Sequence, residues 1–441
     1  MGKLYPMPIN ESPLSSDHLV KLDCRDLLVG MYVSELDCSW SDTPFPLNGF
    51  HLKNGEDIQT LLKFCKSVTI DINRGASPQK LKKSQLTILS SARKSAPAIT
   101  ALKVNRDAYP VNQTIKQQID KAHAQYLLLQ EQFQSVADQV RKHNELELAL
   151  IRPSINVLVD LILANPQTLI WILNTESSPR YKTAYCVRAA IWATILARQF
   201  GLVESEIRLL FLGTLLADIG MQLLPERLVN KRGPFRKKQF LAYRKHVEFG
   251  LDLLSHYPDI DERVLRIVRC HHERHDGRGF PRGVRGKQLP PLARFANLAY
   301  CFERLLHTNL EERRVSPAHA ISRLYKQREL KFPEQLIVEF IHIMGMYPIG
   351  SVVELNTGEL ALVLEQNTSE RMFPVVAILA TPDQSILAKP AIADLAADQS
   401  SAKSRIVSGS ADMRAVTLRL EDYTFSFFGK RLGIGPLSFR L

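Results

Sequence analysis

A mainly helical fold flanked by two small strand-containing units is predicted for this chain, and three observations predict it. Between residues 152 and 345, six segments repeat apolar residues with the 3.6-residue period of a buried helix face. Ahead of them, Ile115, Ile119, Ala122, Tyr126, Leu129, Phe133, Val136 and Val140 fall at alternating steps of four and three, a heptad seam that predicts one long helix. Towards both ends the pattern changes to short alternating runs broken by turn residues, as strands require. The expected architecture is a helical bundle core with a small α+β N-terminal domain, a connecting long helix and a small C-terminal β appendage.

In the first unit, residues 1–73, Leu28-Val29, Met31-Tyr32-Val33 and Ser67-Val68-Thr69-Ile70 read as strands, with Gly30 and Thr43-Pro44-Phe45-Pro46 as turns. Residues 53–66 read as its helix, since Ile58, Leu61, Leu62 and Cys65 share helical spacing. Residues 74–110 read as a basic flexible linker: from Arg74 to Arg106 there are eight Lys or Arg residues and no acid, among Ser, Ala and Pro. Aromatic residues do not interleave that run, so stacking is lost and a nucleic-acid partner is not expected. Residues 111–150 carry the heptad helix, whose seam fits either a homodimer formed through residues 115–140 or a long helix packed on its own chain. Residues 151–345 form the core, with helices expected over 155–163, 185–200, 204–217, 237–254, 261–272 and 292–307. In residues 346–441, Val352-Val353, 361–364 and 375–379 read as strands, Asn356-Thr357-Gly358 as a turn, and the polar stretch 391–412 as mobile.

Composition narrows the class. At 441 residues, 45% hydrophobic and 23% charged, the chain has the means to bury sizeable cores, and about two or three domains are expected. No uncharged apolar run approaches the ~18 residues of a membrane span, and residues 1–16 lack a signal peptide's apolar core, so a cytoplasmic protein without membrane contact is expected. The net charge of +12 favours an anionic partner. Six cysteines (Cys24, Cys38, Cys65, Cys186, Cys270 and Cys301) lack paired spacing and are expected to be reduced and mostly buried.

The chemistry concentrates in His271-His272-Glu273-Arg274-His275-Asp276-Gly277-Arg278-Gly279-Phe280-Pro281-Arg282-Gly283, two adjacent imidazoles followed by a Gly-rich loop stiffened by Pro281. Consecutive histidines on a helix point about 100° apart, so both serve one site only where the helix ends beside it. Asp218 ends an apolar helix before Gly220, and His246 lies on an amphipathic helix. Taken singly, Asp218 reads as a helix-end turn residue and His246 as a packing histidine. Together with His271 and His272 they offer three imidazoles and one carboxylate, a donor set that suits Fe, Mn or Zn.

His271-His272-Glu273 with Asp276-Gly277, Gly279-Phe280-Pro281 and Arg282-Gly283 resembles the signature of HD-GYP phosphodiesterases, bacterial enzymes that open cyclic di-GMP. Phe280 stands where that family usually has Tyr. The resemblance covers nearly the whole chain: Gly30-Met31-Tyr32-Val33 and residues 40–50 look like the small domain that often precedes HD-GYP domains, and Tyr347-Pro348-Ile349-Gly350-Ser351 like the segment that follows them. It implies a helical bundle of the HD superfamily holding a two- or three-metal iron or manganese centre. Carried over residue by residue, Asp218, His246, His271 and His272 match ligand positions. Tyr185 stands at the early His, Ala217 at the His of the His-Asp pair, Met221 at the following Lys and Tyr300 at the late Asp.

The resemblance thus implies one surviving half-site and one stripped half-site. A metal pair both generates a hydroxide and neutralises the scissile phosphate, and a single ion does not readily do both. The expected function is a degenerate HD-GYP protein that binds cyclic di-GMP or a signalling partner with little or no hydrolysis. Its cofactor is expected to be a single Fe, Mn or Zn ion, with an empty site the equal alternative. Arg282, Arg285, Lys287 and Arg294 are candidate phosphate contacts, against the plainer reading of solvated cations. Two other functions stay open: an active phosphodiesterase that works with a mononuclear site or recruits His275, Glu273 or Tyr300 as ligands, and an interaction module whose Gly277–Gly283 loop docks GGDEF-domain proteins.

Overall fold

The structure is a computed structural model that describes residues 4–5, 19–38, 43, 49–52, 55–71, 103–176, 183–231, 233–306, 315–367, 370, 372–400, 405–410, 420, 423 and 427–428. Most of the predicted basic linker, the Thr43-Pro44-Phe45-Pro46 turn apart from Thr43, and residues 44–48 lie outside this set.

The short strand β1 (Leu4–Tyr5) pairs with β6 (Phe235–Arg236). The N-terminal unit is an antiparallel sheet of β2 (Leu19–Asp23), β3 (Tyr32–Leu36), β4 (Phe50–His51) and β5 (Ser67–Asp71), in the order β2-β5-β3-β4, with α1 (Gly55–Phe64) ahead of β5. Its core is Met31, Val33, Leu52, Leu61, Val68 and Ile70. Leu28 and Val29, expected as a strand, instead form an exposed turn, and β5 pairs on one side with β3 and on the other with β2, a strand the sequence reading does not place. Two adjacent apolar residues before a glycine fit a turn as well as a strand, and only pairing decides.

The long helix α2 (Ile115–His143) starts at a capping box in which Thr114 and Gln117 satisfy each other's free amides, and it ends at Asn144 in the left-handed region. Its heptad seam is buried from Ile119 to Val140, and Ile115 is half-buried. It is buried against α3 (Leu148–Ala164), α4 (Pro166–Thr175) and the central helix α5 (Ala184–Phe200) of the same chain, so the seam is not free to pair with a second copy. This corrects the coiled-coil alternative, because a heptad stripe wide enough to include Gln118 and Gln130 fits an ordinary bundle face.

The bundle continues with α6 (Glu204–Leu216), the short α7 (Glu226–Val229), α8 (Lys237–Ser255), α9 (Glu262–Cys270), α10 (Pro291–Leu306), α11 (Pro317–Tyr325) and α12 (Glu334–Met344). α4, α11 and α12 were not singled out by period. α5 is apolar nearly all round, as a helix at the centre must be. It carries a buried ionic cluster: Arg188 donates to Glu303 at 2.5 Å, to Glu176 at 2.7 Å and to the Leu173 carbonyl at 2.9 Å, while Trp192 donates to Glu303 at 3.1 Å. The Tyr126 hydroxyl of α2 also donates to Glu176.

Strands β7 (Val352–Leu355), β8 (Leu360–Glu365), β9 (Val375–Ala380), β10 (Ile386–Asp394) and β11 (Val407–Ser410) form a second antiparallel sheet, ordered β10-β9-β8-β7-β11. Residues of both its faces, Val353 and Val376 on one and Leu362 and Leu379 on the other, join the helical core. The stretch expected to be mobile, 391–412, instead supplies the end of β10 and all of β11. Its polar residues alternate with apolar ones at a sheet edge, which composition alone reads as loop. Among the described residues no single helix is long and apolar enough to cross a membrane.

A candidate metal centre and its loop

Asp218 leaves the C-terminal end of α6 just before a tight 3-10 turn, Ile219–Leu223. That turn lies against α8 at a distance only glycine permits: a Cβ on Gly220 would sit 2.0 Å from the His246 carbonyl oxygen and 2.5 Å from the Gly250 nitrogen. The contact brings Asp218 beside His246. From the other side, α9 ends with His271 as its C-cap and His272 in the turn beyond, so the two rings diverge from a helix end, 4.1 Å apart. Asn297 of α10 fixes that end by donating to the carbonyls of Cys270 (3.0 Å) and Glu273 (2.8 Å).

The four side chains converge, their ligand atoms all within 4.8 Å of one another. Asp218 Oδ1 is 3.2 Å from His246 Nε2, 3.2 Å from His271 Nε2 and 3.9 Å from His272 Nε2. The tautomers follow from the other ring nitrogens. His246 Nδ1 meets the Tyr243 carbonyl at 2.6 Å and His271 Nδ1 the Val268 carbonyl at 2.7 Å. A carbonyl only accepts, so both Nδ1 atoms carry the proton and both Nε2 lone pairs of the neutral rings face the carboxylate. Those two Nε2 atoms lie 3.3 Å apart. The Nε2 of His272 is buried without a hydrogen-bond partner. Buried acceptors that converge on one point without donors are what a cation would satisfy, and three imidazoles with one carboxylate fit Fe, Mn or Zn.

Electrostatics point the same way. Burial by itself would raise the Asp218 carboxyl, but hydrogen bonds and charge from His246 and His271 in their protonated form outweigh it and hold the group well below the usual carboxylate range, the part a cation takes over when the rings are neutral. Burial, with His271 and His246 beside it, pushes His272 well below the ordinary imidazole range, so this ring stays neutral and able to ligate.

On the opposite side of Asp218 the surroundings change character. Tyr185 donates its hydroxyl to Asp218 Oδ2 at 3.2 Å, and Tyr300 donates its own to the Thr214 carbonyl at 2.9 Å. Ala189, Ala217 and Tyr300 form a small apolar cluster against the Tyr185 ring. Burial pushes both phenols well above their ordinary range, so neither offers a phenolate. Met221 packs into a further apolar cluster with Leu224, Phe235, Tyr243 and Phe280.

The replacement ligands considered from sequence are placed elsewhere. Glu273 is buried, and its carboxylate accepts the backbone N–H of Arg282 (2.7 Å), Gly283 (3.0 Å) and Val284 (3.0 Å). His275 faces Glu329 at 3.8 Å, outside the cluster. Arg294, expected at a phosphate, is buried and donates to the carbonyls of Leu289 (3.0 Å) and Gly286 (3.3 Å), so it shapes the loop's exit instead. Arg282, Arg285 and Lys287 are exposed on the loop, as is Arg278.

The loop is built tightly. Asp276 pairs with Arg274 at 2.6 Å and accepts the Arg278 N–H at 3.0 Å. Gly277 and Gly283 have φ of 75° and 70°, and a Cβ on Gly279 would lie 2.6 Å from the His272 carbonyl oxygen. Phe280 stacks on the His272 ring at 4.4 Å, and Arg244 donates to the Pro281 carbonyl at 2.8 Å. Sequence reasoning missed the Glu273 clasp, because a carboxylate that closes a loop nine to eleven residues ahead leaves no periodic signal. It also missed Asn297, an amide on the apolar stripe between Ala296 and Leu298, which was the available cue.

A family model described as HD domain matches residues 167–336, and one described as a domain of unknown function, DUF3391, matches residues 19–151. The chain is 26% identical over 362 residues to the cyclic di-GMP phosphodiesterase PA4108 of Pseudomonas aeruginosa, covering 82% of this chain and 85% of that protein. It is 29% identical over 156 residues to the cyclic di-GMP phosphodiesterase response regulator RpfG of Xanthomonas campestris pv. campestris, covering 35% of this chain and 41% of that one. Over 160 residues it is 29% identical to 3'3'-cGAMP-specific phosphodiesterase 2 of Vibrio cholerae, covering 36% and 31%. Among solved structures, Bd1817, an HDG"Y"P protein from Bdellovibrio bacteriovorus, aligns with a TM-score of 0.41 at 20% identity over 74% of this chain and 99% of that one.

Proposed function

Since the chain belongs to the HD-domain family, with a DUF3391 domain ahead of its HD domain, we propose that it is a cyclic di-GMP signalling protein that binds the dinucleotide or a signalling partner and hydrolyses it little or not at all. One observation carries this reading: Asp218 offers Oδ1 to the imidazoles, while its Oδ2 is taken by the Tyr185 hydroxyl against the apolar wall of Ala217 and Tyr300. A carboxylate so placed serves one ion and does not bridge two.

Asp218, His246, His271 and His272 would hold that ion. When bound, a single Fe, Mn or Zn ion would supply positive charge for a phosphate oxygen, the Lewis-acid part of two-metal catalysis. The chain's own residues do the rest. Phe280 and the two backbone carbonyls hold the imidazoles in place, and Arg282, Arg285 and Lys287 would draw the dinucleotide's phosphates to the rim. Loss of a group that stabilises the transition state commonly costs on the order of a hundredfold in rate, and the stripped side lacks several.

The test is metal analysis and product chromatography on the full chain reconstituted with Mn or, anaerobically, with Fe. Expected are a single metal ion per chain, saturable binding of cyclic di-GMP and turnover at the background level. Two ions per chain, or turnover matching a relative with an intact metal pair, overturns the proposal. The rigid loop supports a second reading, docking of a GGDEF-domain protein, which loop substitutions such as Arg282→Glu would weaken in a binding assay without changing metal content.

A further inference from the structure

Two of the six cysteines meet in the N-terminal sheet. The register of β3 against β5 sets Leu36 opposite Val68, and the Asp37 N–H donates to the Ser67 carbonyl at 3.2 Å. Cys38 therefore leaves the end of β3 beside Cys65, which lies between α1 and β5. Their sulfurs are 3.0 Å apart, about 1 Å more than the ≈ 2.05 Å of a disulfide. Asp37 does not complete a metal site here: its Oδ2 already accepts the N–H groups of Lys66 (3.2 Å) and Ser67 (2.8 Å) and the Ser67 hydroxyl (3.1 Å). With two sulfurs and an engaged carboxylate, the cluster lacks a tetrahedral donor set.

We propose that Cys38 and Cys65 form a reversible disulfide, which makes the N-terminal unit a site of redox modification. The two thiols differ in access. Cys38 is half-buried at the edge of the small core, and Cys65 is buried within it. Burial, together with the adjacent Cys38 and Asp37, pushes the Cys65 thiol up, so Cys38 is the group an oxidant meets first. With hydrogen peroxide as oxidant, the Cys38 sulfur attacks one peroxide oxygen, the O–O bond breaks, and one water leaves, giving a sulfenic acid. The Cys65 sulfur then attacks that sulfur. The S–S bond forms, the S–O bond breaks, and the hydroxyl departs with the Cys65 proton as a second water. Two thiols lose two hydrogens and two electrons, and the peroxide accepts both.

The experiment uses the full chain, reduced and then treated with hydrogen peroxide, followed by intact mass measurement and non-reducing peptide mapping. The expected result is a loss of two hydrogens, a crosslinked peptide pair containing Cys38 and Cys65, and full reversal by dithiothreitol. Cys38→Ser and Cys65→Ser variants should each lose the crosslink. The wild-type map stands whether or not those variants fold. A crosslink that includes Cys24, oxidation of Cys38 to the sulfinic acid with Cys65 still open to alkylation, or protection of both thiols by a chelatable metal without loss of hydrogen overturns the proposal.

Discussion

Glu273 clasps the loop, and removing its carboxylate should open that loop specifically. The side chain is 3% exposed and accepts three backbone N–H groups at 2.7, 3.0 and 3.0 Å. Glu273→Ala leaves three donors without an acceptor, each worth about 1–3 kcal/mol if it stays dry. Because Arg282 lies on the exposed rim, water recovers part of this, and a net local cost of about 3–4 kcal/mol follows. At roughly 1.4 kcal/mol per factor of ten, that is on the order of a hundredfold to a thousandfold faster amide exchange at Arg282, Gly283 and Val284. Hydrogen exchange read by mass spectrometry resolves this segment. Glu273→Gln, which keeps one acceptor oxygen, should fall between the two. If the three amides exchange within about twofold of wild type in Glu273→Ala, the carboxylate does not hold the loop and the reasoning fails.

Three further perturbations test other parts of the frame. Gly220→Ala would drive a methyl group into the His246 carbonyl at 2.0 Å, so a loss of about 2–3 kcal/mol in urea unfolding and weaker metal uptake are expected together. Glu303→Ala leaves the buried Arg188 guanidinium with Glu176 as its remaining carboxylate and the Trp192 N–H without its acceptor, and about 3 kcal/mol of stability should disappear from the same measurement. Asp261, which caps α9, has its carboxyl held at about 2 chiefly by the Arg263 hydrogen bonds, against an ordinary value of about 3.9. A depressed carboxylate stabilises above its unfolded value and stops doing so as the pH falls through the folded one. Asp261→Ala should therefore cost about 1 kcal/mol near neutrality as a lost cap and less as the pH approaches 2; urea midpoints at pH 6 and pH 3 check the difference.

Much of the frame was legible because apolar period survives in a single sequence. The core helices, the turn at Gly358 and the candidate ligand set Asp218, His246, His271 and His272, whose side chains do converge, could be read from stripe, motif and resemblance. What could not be read was pairing. The seam on α2 has the same spacing whether it meets a second copy or its own α3 and α4, and the choice rests on how the chain turns back after Asn144. The same limit explains Arg294 and Glu273. A guanidinium turned towards carbonyls and one turned towards solvent are spelled alike, and only the backbone course from Gly286 to Leu289 separates them. Leu28-Val29 and residues 391–412 erred in opposite directions for one reason, that strand content depends on a neighbour more than on composition.

The ionic knot around Arg188 also fastens separate parts of the bundle to one another. Tyr126 belongs to the long helix that leads from the N-terminal unit, Glu176 to the end of α4, Arg188 to the helix that carries Tyr185, and Glu303 to the helix that carries Tyr300. Turning α2 about its own axis would withdraw the phenol from Glu176 and leave a dry ion pair short of one partner. The long helix is thus tied by dry polar contacts to both helices that carry the tyrosines beside Asp218.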